Sequence, residues 1–140
     1  MTMKQFVINE TFEFFSKLKI NKIEDSEIRN KIIDIYMFLY DKMDNWNKTL
    51  SSFREEFFKG NEDKLNEYNL AIQKDRESPE ISDDTKKIIS EFNVEVSKML
   101  NKDVEASFEK LTRNELVEAL TNLEIEFTCT DLILLKDFYN

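Results

Sequence analysis

The sequence predicts an all-α protein, and two observations support that class. Gly and Pro occur once each in 140 residues, whereas β-sheet folds need many turn residues. Apolar residues recur every three or four positions over long stretches, which is the spacing of one helix face. The longest unbroken apolar run, 35–40, is far shorter than the roughly 20 residues of a membrane span. We therefore expect one helical domain over residues 1–140, with no membrane association.

The first helix is predicted to begin at Asn9, which is a good N-cap residue. Phe12, Phe15 and Leu18 then lie on one helical face. The apolar residues before Asn9 are expected to staple the start of this helix or to form a short extended arm.

The strongest helical signal is one apolar stripe, which predicts a long helix over about 26–59. Asp25 or Ser26 is expected to cap its start, and Gly60 lies just beyond its end. The segment 28–43 carries extra apolar groups beside the stripe, so we expect it to be covered from several sides. The second half has a narrow apolar sector that fits a single partner helix. The stripe consists of Ile28, Ile32, Ile35, Leu39, Met43, Trp46, Leu50, Phe53 and Phe57.

Residues 61–81 are predicted to be a loop or weak helix between two hairpin helices. Ser78 precedes the only proline, and a residue in that position avoids the α region. Ser82 or Asp83 then caps a helix over about 82–101. Its apolar stripe is Ile88 or Ile89, followed by Phe92, Val96 and Met99.

The last forty residues are predicted to form shorter helices. Thr112 and Glu115 have the spacing of a capping box, which opens one short helix. Thr130 or Asp131 is expected to cap a final helix.

Two C-terminal segments, 104–108 and 123–127, alternate apolar and polar residues with the period of a strand. A minor two-stranded patch is therefore an alternative there to extended connectors. The expected architecture is a long helical hairpin with short N- and C-terminal helices packed at one end.

The residue inventory argues against an enzyme. The chain has no histidine and one cysteine, Cys129, which excludes Ser-His-Asp and Cys-His catalysis, histidine-ligated metals and ordinary structural zinc. One glycine cannot build a phosphate-binding loop. Cys129 is expected to be a buried or half-buried filler. No catalytic, cofactor-binding or metal-binding residue is predicted.

The net charge of −9 is unevenly distributed along the sequence. Residues 1–60 hold ten basic and ten acidic side chains, whereas residues 61–140 hold ten basic and nineteen acidic ones, the whole −9. Direct nucleic-acid binding needs a basic face and is disfavoured. An acidic second half favours a protein partner with a basic surface. The lone cysteine favours a cytoplasmic location.

An aromatic strip in the second half of the long helix has two interpretations. Its members are Trp46, Phe53, Phe57 and Phe58. Helices usually bury such stripes, so one interpretation is an internal seam with the helix at 82–101. Aromatic side chains are also enriched in binding hot spots, and Phe57 and Phe58 are not expected to face one seam comfortably. These four residues are therefore the predicted partner-binding residues.

The layout resembles a group of small phage proteins. A short helix with "NETFEFFSKL" leads to "IRNKIIDIYMFL", and a polar middle precedes "EFNVEVSKMLNKDVEASFEKL" and "LEIEFTCTDLILLKDFY". This order is similar to small all-helical proteins of unknown function encoded in tailed phages and prophages. The resemblance implies a phage setting and carries over no catalytic residue.

The function predicted from these observations is non-enzymatic contact with another protein. The protein is expected to be an assembly accessory or an inhibitor of a host protein. The alternatives are an acidic nucleic-acid mimic that blocks a nucleic-acid-binding protein, and a structural protein that self-assembles into a homo-oligomer.

Overall fold

The computed structural model describes residues 1–140, and most of them are helical. Two three-residue strands form a small antiparallel sheet, and two short 3-10 helices span Ile20–Lys22 and Lys136–Phe138. The predicted all-α class with a minor strand patch is thus confirmed. In chain order the main elements are β1 (Thr2–Lys4), α1 (Gln5–Ser16), α2 (Ser26–Phe57), α3 (Glu62–Lys74), α4 (Asp83–Leu100), β2 (Asp103–Glu105), α5 (Arg113–Asn122) and α6 (Cys129–Leu134).

The chain is organised in two compact units. Unit 1 consists of residues 1–45 and 102–140, and unit 2 consists of residues 46–101. The first part of α2 therefore belongs to unit 1, together with α1, α5 and α6. The remainder of α2 belongs to unit 2, together with α3 and α4.

Helix α2 confirms the prediction of one long helix. Its start is capped by Asp25, whose Oδ1 accepts hydrogen bonds from the backbone N–H groups of Glu27 at 2.9 Å and Ile28 at 3.2 Å. These bonds satisfy N–H groups that have no partner within the helix. Beyond its end, Gly60 adopts a φ of 83°. Glycine enters this left-handed region without steric cost, so it suits the exit from the helix.

Helix α4 also lies where the sequence predicts it. Its N-cap is Ser82, whose side chain accepts a hydrogen bond from the backbone N–H of Thr85. Between α2 and α4, the segment 61–81 contains α3 followed by an irregular stretch. Helix α3 packs against α4 within unit 2, and its Ala71 is buried.

The predicted start of α1 at Asn9 is wrong, because the helix begins at Gln5. The Gln5 backbone N–H donates to the carbonyl of Lys102 at 3.1 Å, and its side-chain amide donates to the side chain of Asn9 at 2.9 Å. The contact with Lys102 anchors the start of the helix. A long-range contact therefore overrides the local capping preference of Asn9.

The two-stranded patch pairs different segments from those predicted. Strand β1 lies antiparallel to β2, with Met3 opposite Val104 and the Met3 side chain buried. The segment 123–127 is a connector, although its burial alternates as in a strand. Glu124 has a φ of 57°, which interrupts an extended strand conformation. The sequence signal therefore reports alternating burial and not pairing.

The C-terminal helices begin with reciprocal caps. The predicted capping box of Thr112 and Glu115 is confirmed, with N···O distances of 2.8 and 3.1 Å. The predicted cap of the last helix is wrong, because Thr128 caps α6 in a second box with Asp131. The helix thus starts at Cys129, whose side chain is exposed and not the buried filler that we expected.

The core of unit 1 is built around a row of phenylalanine rings. The fully buried Phe138 lies 4.9 Å from Phe15 and 5.6 Å from Phe108, measured between ring centroids. Phe38 continues the row at 5.1 Å from Phe108. Aliphatic side chains of α1, α2 and α5 fill the space beside these rings.

A nearly buried lysine links α2 to α5 in unit 1. The Lys31 side chain is only 12% exposed, and its Nζ lies 3.1 Å from a carboxylate oxygen of Glu115. Carboxylates of Glu109 and Glu27 lie 3.6 and 3.8 Å away. The hydrogen bond to Glu115 raises the pKa of Lys31 above its usual value. The same carboxylate also caps α5, so one side chain serves both contacts.

Candidate interaction surfaces

The predicted partner-binding residues lie in unit 2, and three of them form one aromatic cluster. We define the aromatic cluster as Phe53, Phe57, Phe58 and Phe92, the last of which comes from α4. The Phe92 ring centroid lies 5.6, 5.4 and 5.1 Å from those of Phe53, Phe57 and Phe58. The cluster is therefore an internal seam between α2 and α4.

The expectation that Phe57 and Phe58 do not share a seam is wrong. Their rings meet edge to face at 5.1 Å, and both contact Phe92. Phe58 directly follows the last residue of α2, and its backbone N–H still donates to the Arg54 carbonyl at 3.1 Å, as in a regular helical turn. Its ring lies in the interior of unit 2, where the residue is 2% exposed.

The other predicted partner-binding residues are not fully buried. Trp46, Phe53 and Phe57 are each half-buried. Their role in partner binding stays a prediction, since an internal seam at one edge of a ring leaves the other edge accessible. Phe58 is available for this role only if the seam opens.

A second aromatic surface lies in unit 1, and the sequence analysis did not single it out. We call it the tyrosine patch and define it as Phe12 of α1 with Tyr36, Met37 and Tyr40 of α2. Phe12 stacks on Tyr36 with centroids 5.8 Å apart and planes within 13°. Tyr40 lies 6.5 Å from Phe12 and 6.3 Å from Tyr36. The three rings thus form one continuous platform.

The tyrosine patch is open to solvent. Met37 is 58% exposed and Tyr40 is 54% exposed. The expectation that residues 28–43 are covered from several sides is therefore wrong at these two positions. Phe12 of α1 covers Tyr36 by stacking on it, whereas Tyr40 stays more than half exposed beside them. Large exposed apolar groups that adjoin one another mark interaction sites more often than isolated ones do.

An open groove in unit 2 runs along α4. It has a volume of about 770 Å³ and is wide open, and its apolar lining comes from Ile81, Ile89 and Val94. Lys86 and Lys98 are the titratable groups that line it. The Lys98 ammonium forms an ion pair with Glu95 at 3.0 Å. The groove is therefore apolar and weakly basic.

One carboxylate in unit 2 has unusual surroundings. Glu67 of α3 accepts hydrogen bonds from the Thr85 hydroxyl at 2.6 Å, the Ser82 backbone N–H at 2.7 Å and the Ser82 hydroxyl at 3.2 Å. The bonds from Thr85 and Ser82 hold the pKa of Glu67 below its usual value. Glu67 therefore ties α3 to the first turn of α4. Its oxygens are used for this contact, which is a structural role.

Acid is expected to weaken the contact between α3 and α4. The Glu67 pKa is lower in the folded protein than in the unfolded chain, so its stabilising contribution is present above the usual glutamate range. That contribution is lost as the pH falls below about 4 and through the folded-state pKa. We expect Glu67→Gln to lower the melting temperature at neutral pH and to flatten its decline with acid.

The sole tryptophan, Trp46, lies in unit 2, so its fluorescence during thermal melts at stepped pH is a suitable measurement. Glu91→Gln is the matched control, since Glu91 is an exposed carboxylate of α4. An equal pH slope in the wild type and in Glu67→Gln contradicts this role for Glu67.

Comparisons with known proteins give no relative of this chain. No model of a protein family matches it, and neither a curated protein nor a solved structure matches it.

Two further properties of the structure bear on the kind of site it offers. No helix combines the length and apolar character required to cross a bilayer. No three His, Cys, Asp or Glu side chains are grouped as metal ligands.

Proposed function

We propose that this is a non-enzymatic, phage-type protein that acts through contact with another protein in the cytoplasm. The observation that carries the proposal is the tyrosine patch, a continuous and exposed aromatic platform in unit 1. Tyr40 and Met37 offer large side chains at the surface, and the rings of Phe12 and Tyr36 contact that of Tyr40. Aromatic groups supported in this way are typical of binding hot spots.

The phage setting rests on the resemblance of the sequence to small helical phage proteins. Two roles fit that setting, an assembly accessory and an inhibitor of a host protein. Both require a stable surface that recognises one partner. The patch is suited to this role, because its rings come from two helices and contact one another.

Site-specific cross-linking tests the proposal. A photoreactive benzoyl-phenylalanine replaces Tyr40, and in a control variant it replaces Leu70, which is 60% exposed in unit 2. Both proteins are irradiated in extracts of the cells that carry the gene. We expect an adduct with one protein from position 40 and not from position 70. Adducts from position 70 alone contradict the proposal.

The captured protein is then purified and its affinity measured. Tyr40→Ala is expected to weaken binding at least about thirtyfold, since aromatic hot spots cost about 2 kcal/mol or more when truncated. Leu70→Ala is expected to leave the affinity unchanged. Equal affinities for the two variants place the contact elsewhere.

An acidic mimic of nucleic acid is the second candidate function. It is favoured because the entire net charge of −9 lies in residues 61–140. Such a mimic binds a basic protein through many exposed carboxylates, so its affinity falls steeply with salt. The measurement is the affinity for the captured partner over a salt series. An affinity indifferent to salt contradicts the mimic and leaves contact through the tyrosine patch.

A further inference from the structure

We infer that the tyrosine patch recognises an arginine-bearing segment of its protein partner, which stacks a guanidinium group on Tyr40. The inference rests on the proposed function, because it names the chemistry of the partner at that surface. It follows from the geometry of the rings and from the charges on the same stretch of α2.

The ring geometry leaves one aromatic face open. Phe12 and Tyr36 are nearly parallel and cover each other, with planes 13° apart. Tyr40 is tilted by 46° against Phe12 and by 50° against Tyr36. Tyr40 is therefore inclined to the stacked pair, and more than half of the residue stays exposed. An exposed π face attracts a cation, and arginine stacks on such faces better than lysine does.

The charges on α2 beside the patch are complementary to a cation. Between residues 33 and 45 the helix carries Asp34, Asp41, Asp44 and Lys42, three negative charges and one positive, for a net −2. Asp44 lies one turn beyond Tyr40 on the same side of the helix, and Lys48 lies one further turn along that side. On α1, the exposed Glu13 directly follows Phe12.

Two basic side chains of α2 near the patch, Lys42 and Arg29, are directed to other contacts. The Lys42 ammonium lies over the ring of Phe38, 5.8 Å from its centroid. The Arg29 guanidinium, on the same side of α2 as Tyr36, donates to the carbonyl of Ile23 at 3.0 Å. The patch therefore presents aromatic faces and carboxylates, and Met37 beside them offers an apolar contact for the methylene stem of an arginine.

Model peptides test this chemistry without the natural partner. We compare a helical alanine-based peptide carrying one leucine and two arginines one turn apart with two matched peptides. In the first, citrulline replaces arginine, which keeps the shape and removes the charge; in the second, glutamate replaces arginine. The observable is the shift of the ring signals of Phe12, Tyr36 and Tyr40 in NMR titrations at matched low ionic strength.

We expect the arginine peptide to bind about tenfold more tightly than the citrulline peptide. The shifts are expected at the three rings. Equal binding of the arginine and citrulline peptides, or tighter binding of the glutamate peptide, overturns the inference. Neither result bears on the cross-linking at position 40, so failure of this inference is distinguishable from failure of the proposed function.

Variants of Tyr40 separate the π face from simple apolar area. Tyr40→Phe is expected to keep the preference for arginine, whereas Tyr40→Leu is expected to abolish it. Leu70→Ala, in unit 2, is the control and is expected to bind as the wild type does. Equal preference in Tyr40→Phe and Tyr40→Leu contradicts stacking.

A second copy of the chain is the competing occupant of the patch. Its signature is a concentration-dependent shift of the Tyr40 signals without any peptide, together with a rise in mass by light scattering. That outcome overturns the inference and assigns the patch to self-assembly.

Discussion

Replacing Phe138 with alanine is expected to lower the free energy of unfolding by about 4 kcal/mol, which is typical for removal of a fully buried ring. Phe138 is fully buried and lies between Phe15 and Phe108, with ring centroids 4.9 and 5.6 Å away. Its removal leaves a cavity that both neighbouring rings line. Urea denaturation followed by far-ultraviolet circular dichroism measures the loss.

The control for Phe138 is a nearby apolar residue at the surface. Ile133 of α6 is 66% exposed, so Ile133→Ala is expected to cost less than about 1 kcal/mol. A loss below about 1 kcal/mol for Phe138→Ala contradicts its central position in the core of unit 1.

Replacing Phe58 with alanine is expected to cost about 3 kcal/mol in unit 2. Its ring is 2% exposed and contacts Phe57 and Phe92 at 5.1 Å each. The seam between α2 and α4 loses its innermost ring, so these helices separate more readily. The fluorescence of Trp46, which belongs to unit 2, reports this unfolding during titration with urea.

The adjacent Phe57 provides a matched control. It is half-buried, so Phe57→Ala is expected to cost about half as much as Phe58→Ala, because less apolar area leaves the interior. A larger loss for Phe57→Ala than for Phe58→Ala contradicts the burial order in the seam.

The helices that carry strong local signals were predictable from the sequence. The stripe from Ile28 to Phe57 defines α2, and Ser82 and Thr112 mark the starts of α4 and α5. Periodicity and capping involve neighbours within about four residues, so they are visible in the sequence itself. The start of α1 was missed because a contact with residue 102 sets it.

The strand pairing and the exposed surface depend on distant parts of the chain. Alternation in 123–127 reported burial correctly, yet it could not identify β1 as the strand that pairs with β2. The apolar sector of α2 likewise could not reveal which side is left open, because α1 covers Tyr36 and leaves Tyr40 exposed. Two tyrosines one turn apart beside Met37 were the available signal. Phenols suit a half-wet surface better than a core.

The pairing of Met3 with Val104 has a consequence for the order in which the chain folds. Unit 1 is discontinuous in sequence, and all of unit 2 lies between its two segments. Closing so long a loop has an entropic cost that grows with loop length, and contacts distant in sequence form slowly. Unit 2 contains only residues 46–101, so its contacts close shorter loops and are expected to form before the contact of β1 with β2. A folded unit 2 then shortens the loop that β1 and β2 must close. Folding of unit 2 is therefore expected to assist the assembly of unit 1.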